Sequence, residues 1–177
     1  MEGKTLLVAY GTWSGTTREV AEAMGAVLRE DGTAVDVRRA KEVKDVSPYD
    51  GVVLGTAIHA GQVHPEMVKF LKQHREPLHA LPVAYFVVCM TMKEDTPENR
   101  GTVAAYLDAV REQVPEVEPV EVGLFAGAIL PDGAKGQKLS LPTRMMLKLM
   151  KSHAEDQRDW DAIRAWAADL QPVLFAA

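Results

Sequence analysis

The chain switches back and forth between two hydrophobic rhythms. Thr5–Tyr10 is an apolar run without period, the pattern of a strand buried on both faces. Thr16–Glu30 changes to helical spacing, with Val20, Met24, Val27 and Leu28 on one face and Gly32 as the stop. Ala34–Arg39 alternates Val35 and Val37 with Asp36 and Arg38, which predicts a strand at a sheet edge. Residues 47–51 form a turn and 52–57 a further buried strand. Residues 65–75 predict a helix with Pro65 at its first position and His64 as its cap; Met67, Val68, Phe70 and Leu71 make its core face. Residues 83–90 form the most β-prone run. Thr96 and Pro97 then open a helix that buries Val103, Tyr106, Leu107, Val110 and Val114. Residues 120–129 give a fifth strand, and 159–170 a last helix with Trp160, Ile163, Trp166, Ala167 and Leu170 inward.

Strand–helix alternation without an internal repeat predicts one α/β domain over residues 1–177, a parallel sheet with helices on both faces joined by right-handed crossovers. One stretch departs from the rhythm. Residues 130–141 show no period, and 142–152 form a short helix, so 130–152 is an insertion after the fifth strand. At ~100° per residue Arg144, Lys148 and Lys151 share a stripe, while Met145, Met146, Leu147, Leu149 and Met150 cover the rest. From Pro131 to His153 five Lys or Arg stand against one acid, Asp132. Such a helix lies on the domain as a lid, in a membrane interface, or against a redox partner.

Composition narrows the classes. Apolar residues make up 47% and charged residues 25% of the 177, a globular balance. The net charge of −5 disfavours nucleic acid as a partner. A single cysteine, Cys89, excludes an intramolecular disulfide and a cysteine-cluster metal site, and makes a reducing cytoplasm the default compartment. It closes a buried strand with no adjoining positive charge, which predicts inert packing. No histidine pair has metal-ligand spacing, so no metal is expected; His74 and His79 read as part of a polar connector. The apolar run Leu6–Ala9 is shorter than the ~7–15 residues of a signal-peptide core. No window approaches the ~18 apolar residues of a membrane span.

The first strand–helix turn carries the densest chemistry. Gly11-Thr12-Trp13-Ser14-Gly15-Thr16-Thr17 sets hydroxyls and glycines at a helix N-terminus, where free N–H groups and the helix dipole suit a phosphate. No lysine follows Gly15, so it is not a triphosphatase loop, and the dinucleotide spacing G-x-G-x-x-G is absent. From composition alone a plain Ser/Thr helix cap explains the stretch equally well.

Thr12-x-Ser14-Gly15-x-Thr17 resembles the phosphate loop of the flavodoxin family, at the same place in the chain. Residues 53–61 and 89–95 stand where that family has its second and third flavin-contacting loops. The run Gly55-Thr56-Ala57-Ile58-His59-Ala60-Gly61-Gln62-Val63-His64, with Phe125-Ala126-Gly127-Ala128, is similar to the flavodoxin-like, quinone-dependent protoporphyrinogen oxidases of bacteria. Those also carry an insertion after the fifth strand and an acidic or arginine-bearing stretch before a Trp-led helix, like Glu155–Trp160 here. Two departures stand out: Thr16 replaces the usual amide residue, and the insertion lacks aromatics.

The resemblance implies a flavodoxin-like doubly wound five-stranded sheet of order 2-1-3-4-5, with its ligand beyond the strand ends at the switch point. It implies non-covalent FMN held by Thr12, Trp13, Ser14, Gly15, Thr16 and Thr17, by Ala57, Ile58, His59, Ala60 and Gly61, and by Met90, Thr91 and Met92. Trp13 stands near the ring or only over the loop. Gly61 lets the second loop turn its peptide toward the flavin. His59 replaces an aromatic there, leaving the ring face open; as a residue able to move protons at neutral pH it is the one catalytic candidate. Two functions stay open: an oxidoreductase passing electrons from a small organic substrate, such as a porphyrinogen, to a quinone or other acceptor, and an FMN electron shuttle that docks with redox proteins. The expected location is cytoplasmic, with peripheral contact to the inner membrane surface through Arg144, Lys148 and Lys151.

Overall fold

A computed structural model describes residues 3–30, 32–130, 141, 142, 145, 149 and 155–176. Strands β1 (Thr5–Tyr10), β2 (Ala34–Arg39), β3 (Gly51–His59), β5 (Val83–Cys89) and β6 (Glu121–Ala126) form a parallel sheet in the order β2-β1-β3-β5-β6. A two-residue strand, β4 (Gln62–Val63), pairs antiparallel with the end of β3. Discounting that hairpin, the order is the expected 2-1-3-4-5. β1, β3 and β5 sit between neighbours and are almost entirely buried, which is why they read as unbroken apolar runs. β2 lies at the edge and alternates.

Helices α1 (Thr16–Glu30) and α4 (Trp160–Leu174) cover one face, burying Leu6, Val8, Met24, Leu28, Phe86, Ile163 and Leu170. Helices α2 (Pro65–His79) and α3 (Pro97–Arg111) cover the other, with Leu7, Leu54, Met67, Phe70, Tyr85, Val103 and Leu107. A Thr96 hydroxyl accepts the Asn99 N–H at the head of α3, and an Asp159 carboxylate accepts the Asp161 and Ala162 N–H groups at the head of α4.

Several expectations are corrected. β3 runs two residues past the predicted end because Ile58 and His59 pair with Val63 and Gln62 in the hairpin. α2 continues to His79 through a kink at His74, since Pro77 removes a helical N–H downstream. His74 and His79 are therefore helical and not part of a connector: His74 is buried against the Phe70 ring at 4.8 Å, and Nδ1 of His79 bonds the Glu116 carbonyl at 2.8 Å. Residues 120–129 are two strands. β6 stops at Gly127, and β7 (Ala128–Ile129) leaves the sheet to pair antiparallel with β8 (Glu155–Asp156). This second, two-stranded ladder joins the residues that flank the insertion. Of the predicted loop at 130–141, residues 131–140 lie outside the described residues, as do Arg144, Lys148 and Lys151 of the basic stripe. Leu141, Pro142, Met145 and Leu149 have helical backbone, and Leu141, Met145 and Leu149 are 80%, 67% and 81% exposed.

Candidate functional site at the carboxyl ends of the strands

The ends of β1, β3 and β5 open into one cavity of ≈ 310 Å3 at the point where the strand order reverses. Its walls include Trp13, Ser14 and Thr16 from the first loop, Ala57, Ile58, His59, Ala60 and Gly61 from the hairpin, and Met90 and Thr91 after β5.

The first loop is braced internally. The Thr12 hydroxyl is buried and accepts the Gly15 N–H at 2.9 Å, and Gly15 has φ of +87°. Thr12 thus shapes the loop and does not line the cavity. Ser14 and Thr16 hydroxyls lie 3.3 Å apart, so either proton can turn toward a ligand. Thr17 Oγ1 is buried at the head of α1 and has no protein partner. An unpaired buried hydroxyl is costly, and a phosphate oxygen would satisfy it. These groups fit an anion at the helix N-terminus.

The second loop is a tight hairpin tip. Ala60 and Gly61 have φ of +49° and +73°, the mark of a two-residue type I′ turn. Ala60 adopts a conformation that L-residues disfavour. Trp13 bridges this tip to the first loop, with its ring 5.7 Å from His59 and 4.3 Å from His64. His64 is buried and caps α2, its Nδ1 accepting the Glu66 N–H at 3.2 Å. Burial holds its pKa below the usual histidine value. Arg39 adds a brace, pairing with Glu66 at 2.9 Å and donating to the Thr12 carbonyl at 3.3 Å.

The third loop is a 3-10 turn, Met90–Lys93. It sets Met90 and Thr91 at the cavity, while Met92, also expected at the cofactor, is buried in the core beneath. Cys89 is buried, and burial pushes its thiol pKa up. It lines the cavity as a small apolar group.

Sequence reasoning missed part of the wall. Tyr106 was expected in the α3 core, yet it stands half-buried over Gly61, and its phenol lies where a Gly61 Cβ would meet it at 3.5 Å. A hydroxyl within an apolar stripe was the available signal, since a buried Tyr seeks a partner. Val88 of β5, Gly127, and Ala128 and Ile129 of β7 also line the cavity. Among the described residues no cluster of three or more His, Cys, Asp or Glu is placed to hold a metal ion.

The family model described as a flavodoxin domain matches residues 7–161. The chain is 31% identical over 178 residues to the protoporphyrinogen IX dehydrogenase [quinone] of Escherichia coli K12, covering 93% of each chain. It is 25% identical to the protein of the same name from Leishmania major, over 96% of this chain and 76% of that one. Among solved structures, a cysteine-to-serine mutant of the flavodoxin from Pseudomonas aeruginosa superposes with a TM-score of 0.56 at 14% identity, covering 96% and 98% of the two chains.

Proposed function

The chain belongs to the flavodoxin family, and on that premise we propose that it is an FMN-dependent oxidoreductase that oxidises a porphyrinogen and delivers the electrons to a quinone. The observation that carries this reading is the end-to-end likeness to a quinone-dependent protoporphyrinogen dehydrogenase, over 93% of both chains. The cavity supports it. Its hairpin presents Ile58, His59 and Ala60 and no stacking aromatic ring, while Trp13 and Tyr106 stand elsewhere in the wall, which would leave the hairpin side of a bound flavin to a flat organic substrate.

FMN would supply the two-electron redox chemistry, and the chain's own residues would hold and screen it. Ser14, Thr16 and the orphaned Thr17 hydroxyl would take the phosphate at the α1 N-terminus. The Ala60–Gly61 peptide, already in a turn of positive φ, would face the ring nitrogen that exchanges protons. Met90, Thr91 and Cys89 would border the ring's polar end. His59 is exposed at the rim and would contact the substrate.

A porphyrinogen loses electron pairs and protons stepwise as it becomes a porphyrin, so the bound flavin would be reoxidised between steps. A quinone resides in lipid. The exposed stripe Leu141, Met145 and Leu149, at i, i+4 and i+8, gives an apolar edge suited to a membrane interface, and the sequence adds Arg144, Lys148 and Lys151 in the same segment.

The test is direct. Purified protein is expected to release FMN on heating and, without oxygen, to convert protoporphyrinogen to fluorescent porphyrin only when a quinone is added. Quinone-independent conversion, or none with FMN fully bound, overturns the proposal; the second result favours the electron shuttle.

A further inference from the structure

The Arg158 guanidinium carries four hydrogen bonds and a ring contact between α1, β8 and α4; the side chain is 4% exposed. Nη1 donates to Glu19 Oε2 at 2.7 Å and to the Thr16 carbonyl at 3.3 Å. Nε and Nη2 grip both oxygens of Asp156 at 2.9 and 2.6 Å. The guanidinium lies 4.6 Å from the Trp160 ring centroid. No part of it lines the cavity. Its two carboxylate partners balance its charge, so it does not serve as a long-range anion attractor. What it does mechanically is join the first turn of α1, which ends the hydroxyl loop, to β8.

β8 is joined to the other side of the site as well. Glu155 pairs with Lys93 of the third loop at 2.6 Å, Ala128 and Ile129 opposite β8 line the cavity, and the Gln157 N–H donates to the Gly127 carbonyl at 3.1 Å. The two ties differ in strength. The Lys93–Glu155 pair is 45% and 37% exposed, a class of ion pair worth little. Arg158 is buried, bidentate and planar, the geometry that Arg alone provides.

We propose that Arg158 is the positioning residue for the phosphate end of the site: it fixes the first turn of α1 so that the Ser14, Thr16 and Thr17 hydroxyls stand ready for the phosphate, and it does so from β8, beyond the insertion. This rests on the FMN reading. It follows that Arg158 governs affinity for the phosphorylated flavin selectively. Riboflavin has the ring and lacks the phosphate, so it reports the rest of the site.

The experiment measures dissociation constants of FMN and riboflavin, by flavin fluorescence quenching on the full-length apoprotein, for wild type, Arg158→Met, Arg158→Lys, Glu19→Gln and Glu155→Gln. The expected results are a tenfold or greater loss of FMN affinity in Arg158→Met with riboflavin changed less than twofold, an intermediate loss in Arg158→Lys, and no change in Glu155→Gln. Glu19→Gln keeps the arginine and its Asp156 fork, so it tests the α1 tie where Arg158→Met fails to fold; a severalfold, FMN-selective loss is expected. Equal loss for both flavins would reduce Arg158 to a general structural role and overturn the inference, as would unchanged FMN affinity in Arg158→Met. A wild type that binds riboflavin as tightly as FMN leaves flavin binding intact but removes the phosphate site and this inference with it. A wild type that binds neither overturns the FMN reading itself.

Discussion

At the scale of single residues the loop hydroxyls and His64 do separable work. Ser14 and Thr16 line the cavity, Thr17 holds a buried hydroxyl without a protein partner beneath them, and Thr12 holds the turn. Replacing Ser14 and Thr17 together by Ala is expected to weaken FMN by ~1–3 kcal/mol for each charge-assisted bond lost, read by calorimetry, with little change in folding stability. Unchanged affinity would place the phosphate elsewhere. His64 predicts a pH dependence. It is buried with Trp13 over its ring, Glu66 in front of Nδ1, and Arg39 and Lys41 nearby; desolvation holds its folded-state pKa below the unfolded value of about 6.5. The unfolded chain therefore binds the extra proton first. The stability that neutral His64 provides is complete above the unfolded pKa and declines as pH falls through that value toward the folded one. Protonation also removes the acceptor that caps α2. Melting temperature is expected to fall between pH 7 and pH 5 in wild type, and less steeply in His64→Asn, which keeps a cap acceptor without titrating. Parallel pH profiles would dismiss His64 as the source.

At the scale of elements, packing fixes choices that look arbitrary in the chain. Gly55 in β3 leaves room for the Phe86 ring; a Cβ there would fall 1.9 Å from it. Gly55→Ala is expected to cost ~1–3 kcal/mol in urea unfolding through overpacking, although alanine is otherwise neutral in a central strand. Ala60 invites the opposite change. Ala60→Gly relieves a left-handed backbone at the hairpin tip and is expected to stabilise the fold by a few tenths to ~1 kcal/mol; a loss of stability would show that the Ala60 methyl packs. These elements also mark how far the chain can be read unaided. The buried parallel strands, three helix starts and the hydroxyl loop were legible because period, capping residues and proline act locally. The two-residue strands β4, β7 and β8 were not, since each exists only through a partner brought from elsewhere. Nor were the positions of Tyr106, Met92 and His74. A helical stripe states which residues share a face, but the tilt of α3, the turn after β5 and the kink in α2 decide what that face meets.

At the scale of the whole molecule, the parallel sheet gathers three loops into one cavity, and the ladder β7–β8 returns the chain to it after the insertion. Among the described residues no helix is long and apolar enough to cross a membrane; the proposed quinone acceptor makes peripheral membrane contact a testable expectation. Protein is expected to sediment with anionic but not neutral liposomes at low salt and to be released at high salt, each basic residue near the surface contributing ~1 kcal/mol. Charge reversal of Arg144, Lys148 and Lys151 to Glu is expected to abolish the effect; binding that ignores lipid charge would point to a protein partner for the exposed Leu141, Met145 and Leu149. On the proposed function, a substrate reaches the open face of the flavin directly. Anaerobic rapid mixing of FMN-loaded protein with protoporphyrinogen, followed through the visible flavin band, tests it in one step. The band is expected to bleach at a rate that rises with porphyrinogen concentration as one electron pair passes to each flavin, and to recover, with fluorescent porphyrin accumulating, only when quinone is added. A band that stays unbleached by porphyrinogen, in protein whose flavin dithionite still reduces, would contradict it.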